Sequence, residues 1–191
     1  MEQTLKLTAE HMKKALSRLD ELLAPRVNGS KSGQVVLMMG GGGAMILAHA
    51  YPLATTDIDA IPRGIEIGEL DVLVKKIAAE QGLPTDWLNP YFATYSHTLP
   101  PDYSERLITV FEGGALRVQA LGKEEMLVMK CFAHRQKDVG HAKALVRRGA
   151  SVERVRARIE ELLKKRITGA RQALDFLDDV LDQVDEEADS R

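Results

Sequence analysis

The sequence predicts an α+β protein: a small mixed sheet flanked by helices, followed by a C-terminal helical segment. Three observations carry that expectation. A continuous apolar run at residues 34–39 has strand length and ends abruptly in four glycines, 40–43. Two further strand-like runs, 106–111 and 116–121, flank Glu112-Gly113-Gly114, the composition of a hairpin turn. From Lys123 onward, apolar residues recur at helical spacing with no strand-like run between them. The expected organisation is an α/β domain with an N-terminal helix over 1–121, a helical region over 122–184, and an acidic, disordered tail over 185–191.

The composition excludes several classes. With 191 residues, 45% apolar and 28% charged, the chain has the make-up of an ordinary globular protein with room for a sizeable core. Aromatic residues are 5% of the chain, so that core is aliphatic. One cysteine, Cys131, rules out an intrachain disulfide and any multi-cysteine zinc site, and its apolar neighbours mark it as packing. None of the five histidines has the partner spacing of a zinc ligand. No apolar run approaches the ~20 residues of a membrane span, and the first residues lack a secretory pattern, so the expected compartment is the cytoplasm, without membrane partners. Charge is unevenly spread: residues 123–166 hold 13 Lys/Arg against 6 Asp/Glu, and residues 167–191 hold 2 against 8. A basic block before an acidic one is compatible with nucleic-acid contact, and equally with the two segments folding on each other.

Individual elements follow from periodicity. Met12, Leu16, Leu19, Leu22 and Leu23 set a helix over 8–23 with Thr8 as its N-cap, and residues 27–33 form a turn-rich linker. After the glycines, residues 44–50 read as a helix stopped by Pro52, and residues 57–61 as a short strand closed by Pro62. Residues 65–81 form an amphipathic helix on Ile67, Leu70, Val72, Leu73, Ile77 and Ala78, with Gly82 as terminator. Residues 83–101 are loop-like. Trp87 within them is read as buried beside the sheet, with base stacking as the alternative. His49 is read as a satisfied core or rim residue. The C-terminal helices are expected to break near Gly140, Gly149 and Gly169, and the acidic stripe Asp175, Asp178, Asp179, Asp182 is a solvated helix face.

The chemistry-bearing pattern is the glycine run together with a pair of aspartates. Glycines between a strand and a helix let backbone amides approach an anion without side-chain obstruction. The run is not a Walker loop, since no Gly-Lys-Ser/Thr follows, and it lacks the spacing of a dinucleotide fingerprint. Asp57 and Asp59 lie about 15 residues further on. If residues 57–61 are a strand, both carboxylates point to one face, while Ile58 points into the core. Two adjacent carboxylates repel each other unless a cation lies between them, and Mg2+ takes such ligands together with substrate phosphates.

Residues 41–45 with Thr55-Thr56-Asp57-Ile58-Asp59 resemble the Gly-Gly … Thr-x-Asp-Ile-Asp signature of DNA polymerase β-type nucleotidyltransferases, and in particular small bacterial proteins related to AbiEii-type toxins. Asp86-Trp87-Leu88-Asn89 resembles a segment of one uncharacterised group among these. So does the stretch 127–138, which carries Lys130, Arg135 and Asp138. The resemblance runs from about residue 34 to residue 145. It implies that Gly41, Gly42 and Thr55 bind a nucleoside triphosphate, that Asp57 and Asp59 are catalytic and hold Mg2+, and that Lys130, Arg135 and Asp138 contact the nucleotide or order those contacts. It also implies transfer of a nucleotide to a hydroxyl of RNA, protein or a small molecule, and the setting of a toxin with an antitoxin partner.

Three positions depart from that pattern. Leu53 stands where relatives carry Arg, and His141 where they carry Asp. The strand 116–121 offers Gln119 in place of a third carboxylate. Glu112 or His141 would then have to supply the missing base; otherwise the protein is a degenerate relative that binds nucleotide or a partner without turnover. A third reading is a helical adaptor in which Asp57 and Asp59 cap a turn.

Overall fold

The computed structural model describes residues 5–28, 33–52 and 54–190. They form two compact units, Met1–Thr94 with Leu107–Leu121, and Tyr95–Arg106 with Gly122–Arg191. The second unit thus takes in residues 95–106, which precede the boundary expected at residue 121.

The first unit is built on a five-stranded mixed sheet. Its strands are β1 (Val35–Met39), β2 (Ile58–Arg63), β3 (Leu88–Asn89), β4 (Ile108–Glu112) and β5 (Leu116–Ala120), in the order β3-β2-β1-β5-β4. Central β1, whose Val35, Leu37, Met38 and Met39 are buried, pairs antiparallel with β2 and parallel with β5. The hairpin predicted around Glu112-Gly113-Gly114 is formed by β4 and β5, with a register irregularity between Thr109 and Phe111. Pro62, expected to close its strand, lies inside β2 opposite Leu37. β3 covers β2 only at Ile58 and Asp59, so Pro62 stands where β2 is an edge and a missing amide is tolerated. β3 itself falls in the stretch expected to be a loop, because two residues are too short for an alternating pattern.

Helix α1 (Ala9–Asn28) is capped as predicted: Thr8 Oγ1 accepts from the His11 amide at 3.3 Å, and His11 Nδ1 accepts from the Thr8 amide at 3.3 Å. Met12, Ala15, Leu16, Leu19 and Leu23 are its buried stripe. The helix continues through Pro25 to Asn28, so the expected linker begins later than residue 27, and residues 29–32 lie outside the described residues. Helix α2 (Gly41–Leu47) starts three residues earlier than expected, with the glycines as its first turn, and ends well before Pro52. Helix α3 (Ile67–Gln81) closes at Gly82, whose φ of 65° is the left-handed cap predicted there. Leu70, Val74, Ile77 and Ala78 are its buried face, whereas Val72, expected inside, is 65% exposed.

Asp20 of α1 holds the β4–β5 turn. Its carboxylate accepts from the amides of Ala115 and Leu116, both at 2.8 Å, and of Gly114 at 3.3 Å. A Cβ on Gly113 would stand 2.3 Å from the Asp20 carboxyl carbon, so a side chain there would push the Asp20 carboxylate from this position.

The second unit is helical: α4 (Lys123–Ala133), α5 (Gln136–Arg147), α6 (Val152–Lys164) and α7 (Ala170–Asp189), with α4 packed against the other three. Residues 125–132 of α4 are all buried, which makes it the core helix of the unit. Breaks occur at Gly149 (φ 77°) and Gly169 (φ 86°) as predicted. The first break differs: Gly140 is interior to α5, and the chain turns at His134, which takes φ 34°. Where a disordered tail was expected from residue 185, α7 runs on to Asp189. Its acidic face meets the basic helices, through Lys143 and Arg147 on Glu187 and Arg156 on Asp178. Cys131 is buried, and burial pushes its thiol well above the usual range, in keeping with a packing role. No helix among the described residues is long and apolar enough to cross a membrane.

Replacing Asp20 by Ala strands the buried amides of Ala115 and Leu116. Urea unfolding of Asp20→Ala is expected to show a loss of about 1–3 kcal/mol with an unchanged slope; an unchanged midpoint would contradict the role given to Asp20.

Candidate functional site

The glycine turn follows directly from the end of β1. Gly40 donates its amide to the Asp59 carbonyl at 2.9 Å, which carries the β1–β2 pairing one residue beyond β1. The Phe92 ring covers Gly40, 3.1 Å from where a Cβ would be. Gly41 then takes φ 61°, in the left-handed region. A Cβ there would lie 2.1 Å from Asp59 Oδ2, and a Cβ on Gly42 would lie 2.5 Å from Thr55 Oγ1. Two glycines are therefore required by two polar side chains seated against them. The first intrahelical bond of α2 is Ala44 N to Gly40 O, so the amides of Gly41, Gly42 and Gly43 have no acceptor within the helix.

Thr55 is held from a distance in sequence. Leu7, itself fully buried, forms an isolated antiparallel bridge with it: Leu7 N donates to Thr55 O at 2.6 Å, and Thr55 N donates to Leu7 O at 3.1 Å. The next residues place the aspartates. Asp59 is the second residue of β2, and Asp57 immediately precedes the strand. Alternation puts both on one face, with Ile58 buried on the other. Asp57 Oδ2 accepts from Asn89 Nδ2 at 3.0 Å, and Oδ1 accepts from Thr56 Oγ1 at 3.2 Å. The structure thus brings Gly41, Gly42, Thr55, Asp57 and Asp59 together within the first unit.

The position that lacks an acid is on the same face. Met38 pairs with Ile61 of β2 and Gln119 of β5, and paired residues share a side, so Gln119 faces as Asp59 does. Glu112, considered as a substitute base, is elsewhere. It is paired with Arg117, which stands opposite Val36, roughly 13 Å along β1 from Gly40. Arg117 also holds the Glu112 carboxyl below its ordinary range, through bonds of 2.7 and 2.8 Å. Leu53 lies outside the described residues.

Lys130, Arg135 and Asp138 form a separate cluster in the helical unit. The sequence places Lys130 and Arg135 on one helix; instead Lys130 is on α4, and Arg135 is the N-cap residue of α5. Asp138 is completely buried. Its carboxylate meets Lys130 Nζ at 2.7 Å and Arg135 Nε at 2.6 Å, with His141 Nδ1 at 3.8 Å. His141 is thus turned toward Asp138. Burial pushes the Asp138 carboxyl up, but His141, Arg135 and Lys130 outweigh that and hold it well below the carboxylate range. The Arg135 side chain is 51% exposed.

Sequence reasoning missed Asn89 as the partner of Asp57; the resemblance of residues 86–89 was the one signal there. Trp87 and His49 have the structural roles read for them. The Trp87 indole donates to the Val74 carbonyl at 3.0 Å in a fully buried setting, and His49 Nε2 lies 2.9 Å from the Leu121 carbonyl oxygen. Among the described residues no group of three or more His, Cys, Asp or Glu could hold a metal. The donor set is therefore two carboxylates, which suits an ion that completes its shell with water and substrate phosphates.

The mixed sheet, with a central strand ending in a glycine turn seated on Thr55 and Asp59, brings together the residues that carry the nucleotidyltransferase resemblance. The chain belongs to the family described as "Nucleotidyltransferase of unknown function (DUF6036)", whose model matches residues 14–180. No curated protein and no solved structure matches the chain.

Two predictions follow from these contacts. Gly41→Ala forces both a collision with Asp59 and a left-handed alanine, and is expected to cost about 1–3 kcal/mol. Gly68→Ala, in open space on α3, is expected to be neutral or slightly stabilising. Equal urea midpoints for the two variants would refute the first expectation. Asp138, depressed in the folded state, contributes stability that is present above its unfolded pKa of ~3.9 and lost as pH falls below it. Between pH 6 and 3 the wild-type protein should therefore lose stability more steeply than Asp138→Asn.

Proposed function

We propose that the chain is a Mg2+-dependent nucleotidyltransferase that moves a nucleotide from a nucleoside triphosphate to a hydroxyl acceptor. The observation that carries this reading is the close seating of Gly41 and Gly42 on Asp59 and Thr55, with Asp57 beside them. A Cβ at either position would displace the Asp59 or Thr55 side chain, and the absence of side chains leaves backbone amides to face a phosphate. Thr55, its backbone held by the Leu7 bridge, adds a hydroxyl at the same turn. Asp57 and Asp59 would hold Mg2+, which when bound offsets phosphate charge and aligns the reacting oxygens.

Lys130, Arg135 and Asp138 enter the proposal through the resemblance. Lys130 and Asp138 are buried against each other, and Arg135 is the member with an exposed side chain to offer a phosphate. The acceptor hydroxyl belongs to RNA, a protein or a small molecule. The basic stretch that favours RNA is partly matched by the acidic face of α7, so it argues for RNA less than its sequence count does. A toxin paired with an antitoxin is the biological setting that the resemblance carries.

Gln119 favours a second reading, a family member that binds nucleotide or a partner without turnover. The third carboxylate is missing from the face that holds Asp59, and Glu112 is committed to Arg117. Calorimetric titration with ATP, GTP, CTP and UTP tests both readings. Mg2+-dependent binding should fall at least about tenfold in Asp57→Asn/Asp59→Asn, since even the outer partners of a metal are worth that much. Transfer of labelled nucleotide to an acceptor distinguishes enzyme from binder. Binding indifferent to both Mg2+ and the aspartates, or no binding of any triphosphate, would overturn the enzyme reading and leave the fold serving another purpose.

A further inference from the structure

We propose that Asn89 is a positioning residue for Asp57, setting the orientation in which that carboxylate takes a divalent cation. The inference rests on the metal reading above and deepens it. Asp59 has its backbone in β2 and its carboxylate against Gly41, so it is fixed twice. Asp57 precedes the strand, and its orientation depends on what its oxygens meet. Oδ2 meets the Asn89 amide at 3.0 Å. Asn89 is 6% exposed, and burying an amide costs free energy unless it is bonded, so this contact is selected by burial as well as by reach.

The strand that carries Asn89 has its own anchors. β3 runs parallel to β2 with Asn89 opposite Asp59, which puts Asn89 on the carboxylate face. Ile58 N donates to Trp87 O at 2.7 Å, and the buried Trp87 indole ties the segment to α3 through the Val74 carbonyl. Asn89 is thus placed by the β2–β3 pairing itself, and the Trp87 indole adds a separate tie between this segment and α3.

The chemistry of the side chain matters. An ionised carboxylate only accepts hydrogen bonds, so its orienting partner must donate. Lysine or arginine would donate too, but would also neutralise the charge that draws a cation. A neutral amide orients Asp57 and leaves the negative charge of the pair intact. Outer partners of this kind typically change metal affinity by about 10–100-fold when removed.

The experiment is Mn2+ binding followed by electron paramagnetic resonance of the free ion, with thermal unfolding of each protein in metal-free buffer. Wild type, Asn89→Ala, Asn89→Leu, Trp87→Phe and Asp57→Asn are compared. Asn89→Ala and Asn89→Leu should weaken Mn2+ binding about tenfold or more. Trp87→Phe, which loses the anchor bond and keeps the amide donor, should lower Tm and bind Mn2+ within about twofold of wild type. A merely structural Asn89 would give the Trp87→Phe pattern, with lower Tm and unchanged Mn2+ affinity, and that result would overturn the inference alone. If wild-type protein takes up no Mn2+, or Asp57→Asn binds it equally well, the metal reading fails and the inference goes with it.

Discussion

The absence of two β-carbons is the constraint on which the first unit depends. At Gly41 and Gly42 any side chain would occupy the space of Asp59 Oδ2 and Thr55 Oγ1. The polypeptide can therefore bring a backbone turn and two polar side chains into direct contact, which packed side chains ordinarily prevent. Everything around the turn keeps this approach in place. β1 and β2 are hydrogen-bonded up to Gly40 and Asp59, Phe92 closes over Gly40, and the Leu7 bridge holds Thr55. A rigid frame of this kind suits the phosphate site proposed here, because preset donors need little rearrangement when an anion arrives.

The helical unit is organised by a different interaction. Asp138 is a fully buried carboxylate whose partners come from α4, from the turn before α5, and from α5 itself. Such a charge is tolerable only while its partners stay in place, so it ties the α4–α5 junction to one geometry. The exposed pairs between α7 and the basic helices contribute much less, being open to solvent and screened by salt. Sequence motif and structural hub coincide here. The residues that resemble a family helix are the ones that turn the chain at His134.

Legibility in the sequence followed the range over which each signal acts. Strand β1 is readable as a continuous apolar run because it is buried on both sides, and β5, α1 and α3 because burial on one side imposes a period on their own residues. Gly41, Gly42, Asp57 and Asp59 were readable because the elements joining them are short, so their proximity is nearly local. Val72 lies outside the core because the periodicity of α3 does not say how far round the helix its neighbours will cover. The start of α2 was placed late because glycines carry no helical period. The break before α5 was assigned to Gly140, since glycine is the usual interrupter, yet a histidine beside a buried ion pair took the left-handed position.

What the sequence by itself determined is the α+β class, the order of the main elements, and the juxtaposition of a glycine turn with two aspartates on one strand face. Those properties arise from local stereochemistry: alternation, helical spacing, and the freedom of glycine at positive φ. Only the tertiary structure decided that Asn89 meets Asp57, that Leu7 pins Thr55, that Asp20 holds the hairpin, and that Asp138 is buried among cations. Each is a polar contact between segments far apart in the chain or across a turn. Hydrogen-bonding partners leave no periodic trace in the sequence, and they become visible only when the packed apolar layers bring the strands and helices that carry them within reach.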